Sequence, residues 1–307
     1  MSPPPIALFI FNRPDLVRRS LNQLSKFDLN KLYIFADGPR NKQDEVLCNE
    51  CQDIAKKQVF SYDVEIICRD LNHGMTSQIT NGLNQVFKYH ESVIFLQDDH
   101  MISRSSYDFC KELLVKYKNT PDIGHINLSN LAPYLTFKSD KSFFFSHFIS
   151  VWGFATWKRV WSTYSPQMED WGGIDQEAFL KKFFKNKKHR NNVRHMYDVH
   201  FDNQDPRTWD YQWEFNCLNN APYSITPSKN LCVDVGFERD DAIHNKGQNP
   251  FYFPLGELTF PLSHPKTLRS NHNYDRHIID KICPDSILFN FIRFIKKLKS
   301  LKFNIKK

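Results

Sequence analysis

Apolar and polar positions switch between two periods along the first half of the chain. The run "IALFIF" (Ile6 to Phe11) is uniformly apolar. The next stretch, "RPDLVRRSLNQLSKF", places Leu16, Val17, Leu21 and Leu24 at helical spacing. The alternation continues with "KLYIFADG", a polar helix around Asp44 to Lys57, "DVEIIC", and a helix from Thr76 to Tyr89. "SVIFLQ", the helical "YDFCKELLVKYK" and "IGHINLS" complete it. Strands alternating with helices predict crossover units and an α/β fold with a mainly parallel sheet. Ligands of such sheets gather at the carboxyl ends of the strands. That singles out the polar residues just after each run: Asn12 and Arg13, Asp37 and Gly38, Arg69 and Asp70, and Asp98 and Asp99.

The second half is less regular. "FFFSHFISVWGFATWKRVW" is dense in aromatics, "KKFFKNKKHRNNVRH" reads as a basic helix or linker, and "TWDYQWEFNCLNN" as an aromatic-faced helix. Beyond Asn245 the pattern loosens into Pro-rich loops. The last element, "ILFNFIRFIKKLKSLKF", aligns Leu288, Phe291, Ile292, Ile295 and Leu298 in one apolar stripe with lysines around it. The expected organisation is a main domain over 1–247, its halves meeting near 130, and a C-terminal extension over 248–307.

Charge sharpens this picture. The net charge is +7, but Asp285 to Lys307 holds seven basic residues and one acidic residue, +6 in all, which leaves about +1 for the body. A near-neutral body argues against a nucleic-acid footprint. The basic amphipathic tail predicts contact with the inner face of a membrane, or docking on the body with its lysines in water. No stretch reaches transmembrane length, and "IALFIF" is too short for a signal-peptide core. Seven cysteines without framework spacing predict reduced thiols in a cytoplasm. The pair Cys48 and Cys51 lacks the second pair a structural zinc site needs, and reads as incidental thiols on an exposed helix.

In "VIFLQDDHMIS" a buried strand ends in adjacent carboxylates. Two neighbouring anions need a cation or several donors. Oxygen ligands suit Mn²⁺ or Mg²⁺, which would neutralise a diphosphate; the bland alternative is a helix cap at Asp99 and a solvated Asp98.

The ordered set "FNRPDLVRRSLNQL", "IFADGPRN", "CRDLNHGMTSQITNGLNQVF", "VIFLQDDHMISRSSYDFCKELL" and "SVWGFATWKRVW" resembles nucleotide-sugar glycosyltransferases of the GT-A fold. It looks most like bacterial surface-glycan transferases, and distantly similar to the N-acetylglucosaminyltransferase I family. The likeness spans roughly Ile6 to Gly247. It implies a GT-A-like, Rossmann-type mixed sheet, a UDP-sugar donor (UDP-GlcNAc among the candidates) and a glycan or lipid-linked glycan acceptor. Arg13 would meet the nucleotide or its phosphates, and Asp37 would accept from uracil or ribose. Arg69, Asn72 and Gly74 would line the nucleotide. Gln97, Asp98 and Asp99 would form the diphosphate motif, with Asp99 the direct metal ligand and Asp98 nearer the ribose or sugar. Eukaryotic relatives carry an acidic residue where Gln97 stands, so one charge is missing here. Trp152 and Gly153 would wall the sugar, with Trp152 or Trp157 stacking on it. His244, in a loop that closes over the nucleotide, would add a metal ligand or a phosphate contact.

The same resemblance assigns Asp210 as the base of an inverting reaction, which needs one carboxylate to take the acceptor hydroxyl's proton. Trp209 and Trp213 would partly desolvate it and raise its pKa; Glu214 is the fallback. Two rivals remain. A sugar-phosphate nucleotidyltransferase usually opens with a Gly-rich, Lys-containing loop, absent from "FIFNRPDL". A non-catalytic glycan-binding protein would need neither Asp99 nor Asp210.

Overall fold

The computed structural model describes residues 3–136, 140–203, 208–237, 239 and 249–282. In chain order the first half runs β1 (Ile6–Ile10), α1 (Pro14–Leu24), β2 (Lys31–Ala36), α2 (Lys42–Lys57), β3 (Asp63–Cys68), α3 (Met75–Val86), β4 (Ser92–Gln97), β5 (His100–Ile102), α4 (Ser106–Lys116) and β6 (Ile123–Asn127). The second half runs β7 (Phe143–Ser146), β8 (Phe154–Trp157), α5 (Lys158–Trp161), α6 (Glu169–Gly173), α7 (Gln176–Phe183), α8 (Lys187–Asn203), α9 (Asp210–Asn220), β9 (Tyr223–Pro227), β10 (Cys232–Asp234) and α10 (His272–Ile282).

Eight strands form one sheet in the order β3-β2-β1-β4-β8-β6-β9-β7. β3, β2, β1 and β4 are mutually parallel, β6 and β9 pair in parallel, and β8 and β7 run against their neighbours. The expected mixed, mainly parallel α/β sheet flanked by helices is therefore present. β1 is buried at every position, which explains its unbroken apolar run: a parallel strand covered on both faces has no polar side to show. α1 buries Leu16, Val17, Leu21 and Leu24 beneath the sheet, with Pro14 in its first turn, where a missing N–H costs nothing. α2 starts where Asn41 accepts from the backbone N–H groups of Gln43 and Asp44.

Cys48 and Cys51 are buried, so the reading of an exposed helix is corrected: one apolar face of α2 carries both thiols inward. The six described cysteines are free. A satellite cluster of Trp171, Phe179, Leu180, Tyr197 and Phe215 joins α6 through α9. The segment 249–282 packs on the body: Tyr274 is fully buried, and its hydroxyl accepts from the Leu131 N–H at 3.1 Å. Glu257 accepts from the Arg104 and Ser105 N–H groups. The apolar stripe from Leu288 to Leu298 lies outside the described residues. Among those described, no helix is long and apolar enough to cross a membrane.

Candidate active site

The chain leaves β1 for β2 on one side, then returns to place β4 on the other side of β1. Between β1 and β4 the connections diverge, and a crevice opens at their carboxyl ends. Arg13 follows β1, Asp37 follows β2, and Asp98 and Asp99 follow β4, so the parallel register brings all four to one edge. They line a cavity of ≈ 1830 Å³.

Arg13 Nη1 donates to Asp99 Oδ2 at 2.9 Å and lies 3.8 Å from Asp98 Oδ1. A third carboxylate joins them. β5 and β10 pair antiparallel with His100 opposite Asp234, and Val235 N–H donates to the Asp99 carbonyl at 2.9 Å. Gly236 is the close contact that permits this: an added Cβ would stand 2.6 Å from Asp99 Oδ2 and 3.0 Å from Asp234 Oδ1. Burial, then the Asp99 charge, pushes the Asp98 carboxyl up to about 7, with Arg13 opposing. The same two causes push Asp234 up to about 7, against the Gly236 N–H and Arg13. Arg13 is the guanidinium that approaches Asp98 and Asp99; Arg239, paired with Asp15, adds a smaller positive influence on Asp98.

Asp99 Oδ1 is buried without a hydrogen-bond partner. Gln97 N–H donates to His100 Nδ1 at 3.0 Å, which leaves the ring proton on Nε2, 3.7 Å from that oxygen and beyond hydrogen-bond reach. Burial lowers the pKa of His100 and keeps it neutral. An orphaned carboxylate oxygen in an acidic crevice suits a hard cation. Among the described residues, however, no three His, Cys, Asp or Glu groups are arranged to hold a metal ion. The residues therefore fit a cation held by one or two carboxylates and completed by phosphate and water, the usual Mg²⁺ arrangement, and not an all-protein cage.

The wall beside this pole is organised by Asp37. Its Oδ1 accepts from the Gly38 and His73 N–H groups at 3.0 and 2.9 Å. Its Oδ2 accepts from Asn72 Nδ2 and Gly74 N–H at 3.0 and 3.2 Å. Four donors fill about the four acceptor sites of a carboxylate, so Asp37 fixes the turn into α3. Gly74 caps α3 with φ 77°, and an added Cβ would meet nothing within 4 Å; backbone conformation, not crowding, calls for glycine. Asn72, Gly74 and Gln97 line the cavity.

The remaining expected residues divide. Asp210 opens α9 and lines the cavity with Tyr211 and Glu214. Trp209 and Trp213 are core side chains, 2% and 0% exposed. Trp213 Nε1 donates to buried His125 Nδ1 at 3.1 Å, which pins α9 to β6. Burial and then the Asp210 charge push Glu214 up to about 7, although Tyr197 Oη donates to it at 2.8 Å. Trp152 is half-buried at the cavity wall, whereas Trp157 is core and donates to the Leu114 carbonyl. Gly153 sits behind that wall at φ 67°, where a Cβ would meet Cys232 Sγ at 2.9 Å. Arg69 is not among the lining residues. His244 lies outside the described residues. Asp234 lies at the start of "VDVGFERDDAIHNKG", the stretch expected to close over the nucleotide, but neither it nor His100 nor the Arg40–Asp44 pair (2.5 Å), which also faces the cavity, stood out as a site residue.

These features define a Rossmann-type α/β protein with an acidic cavity at its topological switch point. Neither a protein-family model nor a curated protein matches the chain. Among the solved structures that resemble it are two that match about half of the chain. The mannosyltransferase PcManGT from Pyrobaculum calidifontis, in complex with GDP-Man and Mn²⁺, is 10% identical, with 53% of this chain and 46% of that chain covered and a TM-score of 0.35. The 4-diphosphocytidyl-2C-methyl-D-erythritol synthase from Anaerococcus prevotii DSM 20548 is 12% identical, with 56% and 76% covered and a TM-score of 0.31. This chain thus spans less than half the length of the mannosyltransferase. At such scores neither likeness bears on function.

Proposed function

We propose that the protein is a metal-dependent, inverting glycosyltransferase that moves a sugar from a UDP-sugar, UDP-GlcNAc among them, to a hydroxyl of a bacterial surface glycan. The observation that carries this reading is the switch-point crevice: three carboxylates, one guanidinium and one orphaned oxygen at the entrance to a cavity that also holds Asp210. Such a pole repels a bare anion and accepts one only together with a divalent cation, which is how a nucleoside diphosphate is recognised.

Asp99, helped by Asp234, would hold Mn²⁺ or Mg²⁺. The bound metal would supply charge neutralisation for the departing diphosphate. Arg13, released from Asp99 by that cation, would donate in its bidentate mode to a phosphate. The N-terminus of α3 at Gly74 presents backbone N–H groups and a positive dipole end to the same space. The turn held by Asp37 would shape the nucleoside's seat, and Trp152 would offer a ring face to the sugar. Asp210 would take the proton of the attacking hydroxyl, with Glu214 behind it as a carboxyl that keeps its own proton near neutrality.

The test is incubation of the purified protein with a panel of UDP-sugars in Mn²⁺, Mg²⁺ or EDTA, following UDP release and melting temperature. Metal-dependent release of UDP from one donor supports the reading and names the sugar. Release of pyrophosphate from a sugar phosphate and a nucleoside triphosphate would make it a nucleotidyltransferase instead. If no nucleotide stabilises the protein with any metal, the reading fails.

A further inference from the structure

The same cavity is also lined by basic residues on elements other than those that carry the acidic pole. Lys181 and Lys182 end α7, Lys185 follows in the turn to α8, and Arg276 projects from α10; all four line the cavity. Lys182, Lys185 and Arg276 are exposed to solvent, and none makes an ion pair with any described residue.

Nearby carboxylates are already engaged. Glu177 receives Arg190 at 2.9 Å and Arg194 at 2.6 Å, with Lys181 at 3.9 Å. Asp280 faces His189 Nε2 at 2.8 Å. Asp275 accepts from Ser146 Oγ and from the His147 N–H. Three exposed cations without ion pairs to described residues therefore line one cavity, Lys182 and Lys185 from the end of α7 and the turn after it and Arg276 from α10. Phe183, Phe184 and Phe148 line the cavity beside them, an apolar surface suited to the C–H faces of a sugar.

We propose that the acceptor is an anionic glycan, bearing a carboxylate or a phosphate, and that Lys182, Lys185 and Arg276 bind that charge. This rests on the reading of the cavity as a glycosyl-transfer site, since the donor's diphosphate belongs at the acidic pole. Cations at the rim select by charge and draw the acceptor in, while Asp210 stays available to its hydroxyl.

The full chain, with UDP and Mn²⁺ present, is applied to an array of neutral, hexuronate-bearing and phosphate-bearing glycans, alongside the triple variant Lys182→Gln/Lys185→Gln/Arg276→Gln. The expected result is retention on anionic glycans that falls with added salt and is about tenfold weaker in the triple variant. Which spots are retained separates carboxylate from phosphate. Retention on neutral glycans alone, on none of the anionic ones, or on anionic ones equally by the variant overturns the proposal. The three side chains are exposed, so the variant's melting temperature should match the parent's. Salt sensitivity of the parent tests the same point without any substitution. A missing UDP-induced melting shift, measured separately, would instead count against the donor reading.

Discussion

Arg13 Nη1 lies 2.9 Å from Asp99 Oδ2 and so ties the carboxyl end of β1 to that of β4 across the switch point. Both side chains are mostly buried, 19% and 17% exposed. Arg13 is thus the direct counter-charge of Asp99 in a crevice lined by three carboxylates.

Its removal should show this. Arg13→Ala is expected to lower stability at neutral pH by about 2–3 kcal/mol, because a buried carboxylate loses its partner. Millimolar Mn²⁺ should restore much of the loss, since a cation replaces the guanidinium. Thermal melts with and without metal read both effects; an unchanged melt in EDTA would show that Arg13 is not needed to hold the three carboxylates together.

Gly236→Ala places a methyl group against Asp99 Oδ2 and Asp234 Oδ1. The expected outcome is a modest loss of about 1–2 kcal/mol in the metal-free protein. Stabilisation by UDP with Mn²⁺ should fall far more, as the carboxylate is pushed out of place. Differential scanning fluorimetry separates the two changes.

Asp37→Ala removes the acceptor of four hydrogen bonds and leaves the Gly38, His73 and Gly74 N–H groups without it. A cost of about 3 kcal/mol in urea denaturation is expected. Asp37→Asn should recover part of it, because an amide still offers one accepting oxygen.

The pH dependence has a definite sign. Asp98 and Asp234 are pushed up to about 7 from 3.8, and Glu214 to about 7 from 4.5. Above about pH 4 the unfolded chain has released protons that the folded one keeps. The stability this contributes is full below the unfolded values and is lost as pH rises through 7. In EDTA stability, and with it the melting temperature, should therefore fall from about pH 4 to about pH 7 and level off above that. Asp234→Asn should flatten that slope, whereas a rising slope would refute the burial argument.

For the chemistry, Asp210→Asn should lower turnover about 100-fold or more with donor binding kept, the usual scale of a lost general base. Glu214→Gln should cost less, because Glu214 is already bonded by Tyr197. If the order reverses, the base is Glu214. Initial rates with saturating donor decide between them.

Much of the frame was legible in the residues alone. β1 through β4 and their helices follow from apolar runs and helical spacing, because strands covered on both faces must be apolar throughout and amphipathic helices must be periodic. Strand-end logic then brought Arg13, Asp98 and Asp99 together without coordinates. The tryptophans show where such reading stops. Trp152, Trp157, Trp209 and Trp213 look alike in sequence, yet Trp152 and Trp209 line the cavity, the first half-buried and the second 2% exposed, whereas Trp157 and Trp213 are core, because burial depends on which side of the sheet an element packs.

Asp37 lines the cavity, but three of its four donors, from Asn72, His73 and Gly74, belong to a turn more than thirty positions away, the fourth being the adjacent Gly38 N–H. Asp234 marks the boundary most clearly. It reaches Asp99 through β5 and β10, strands of three residues each, too short to carry a periodic signal. Local pattern reports what one segment must bury; which carboxylates share a buried space is settled only by long-range pairing. The acidic crevice was half written in "QDD", and its third member was supplied by the fold.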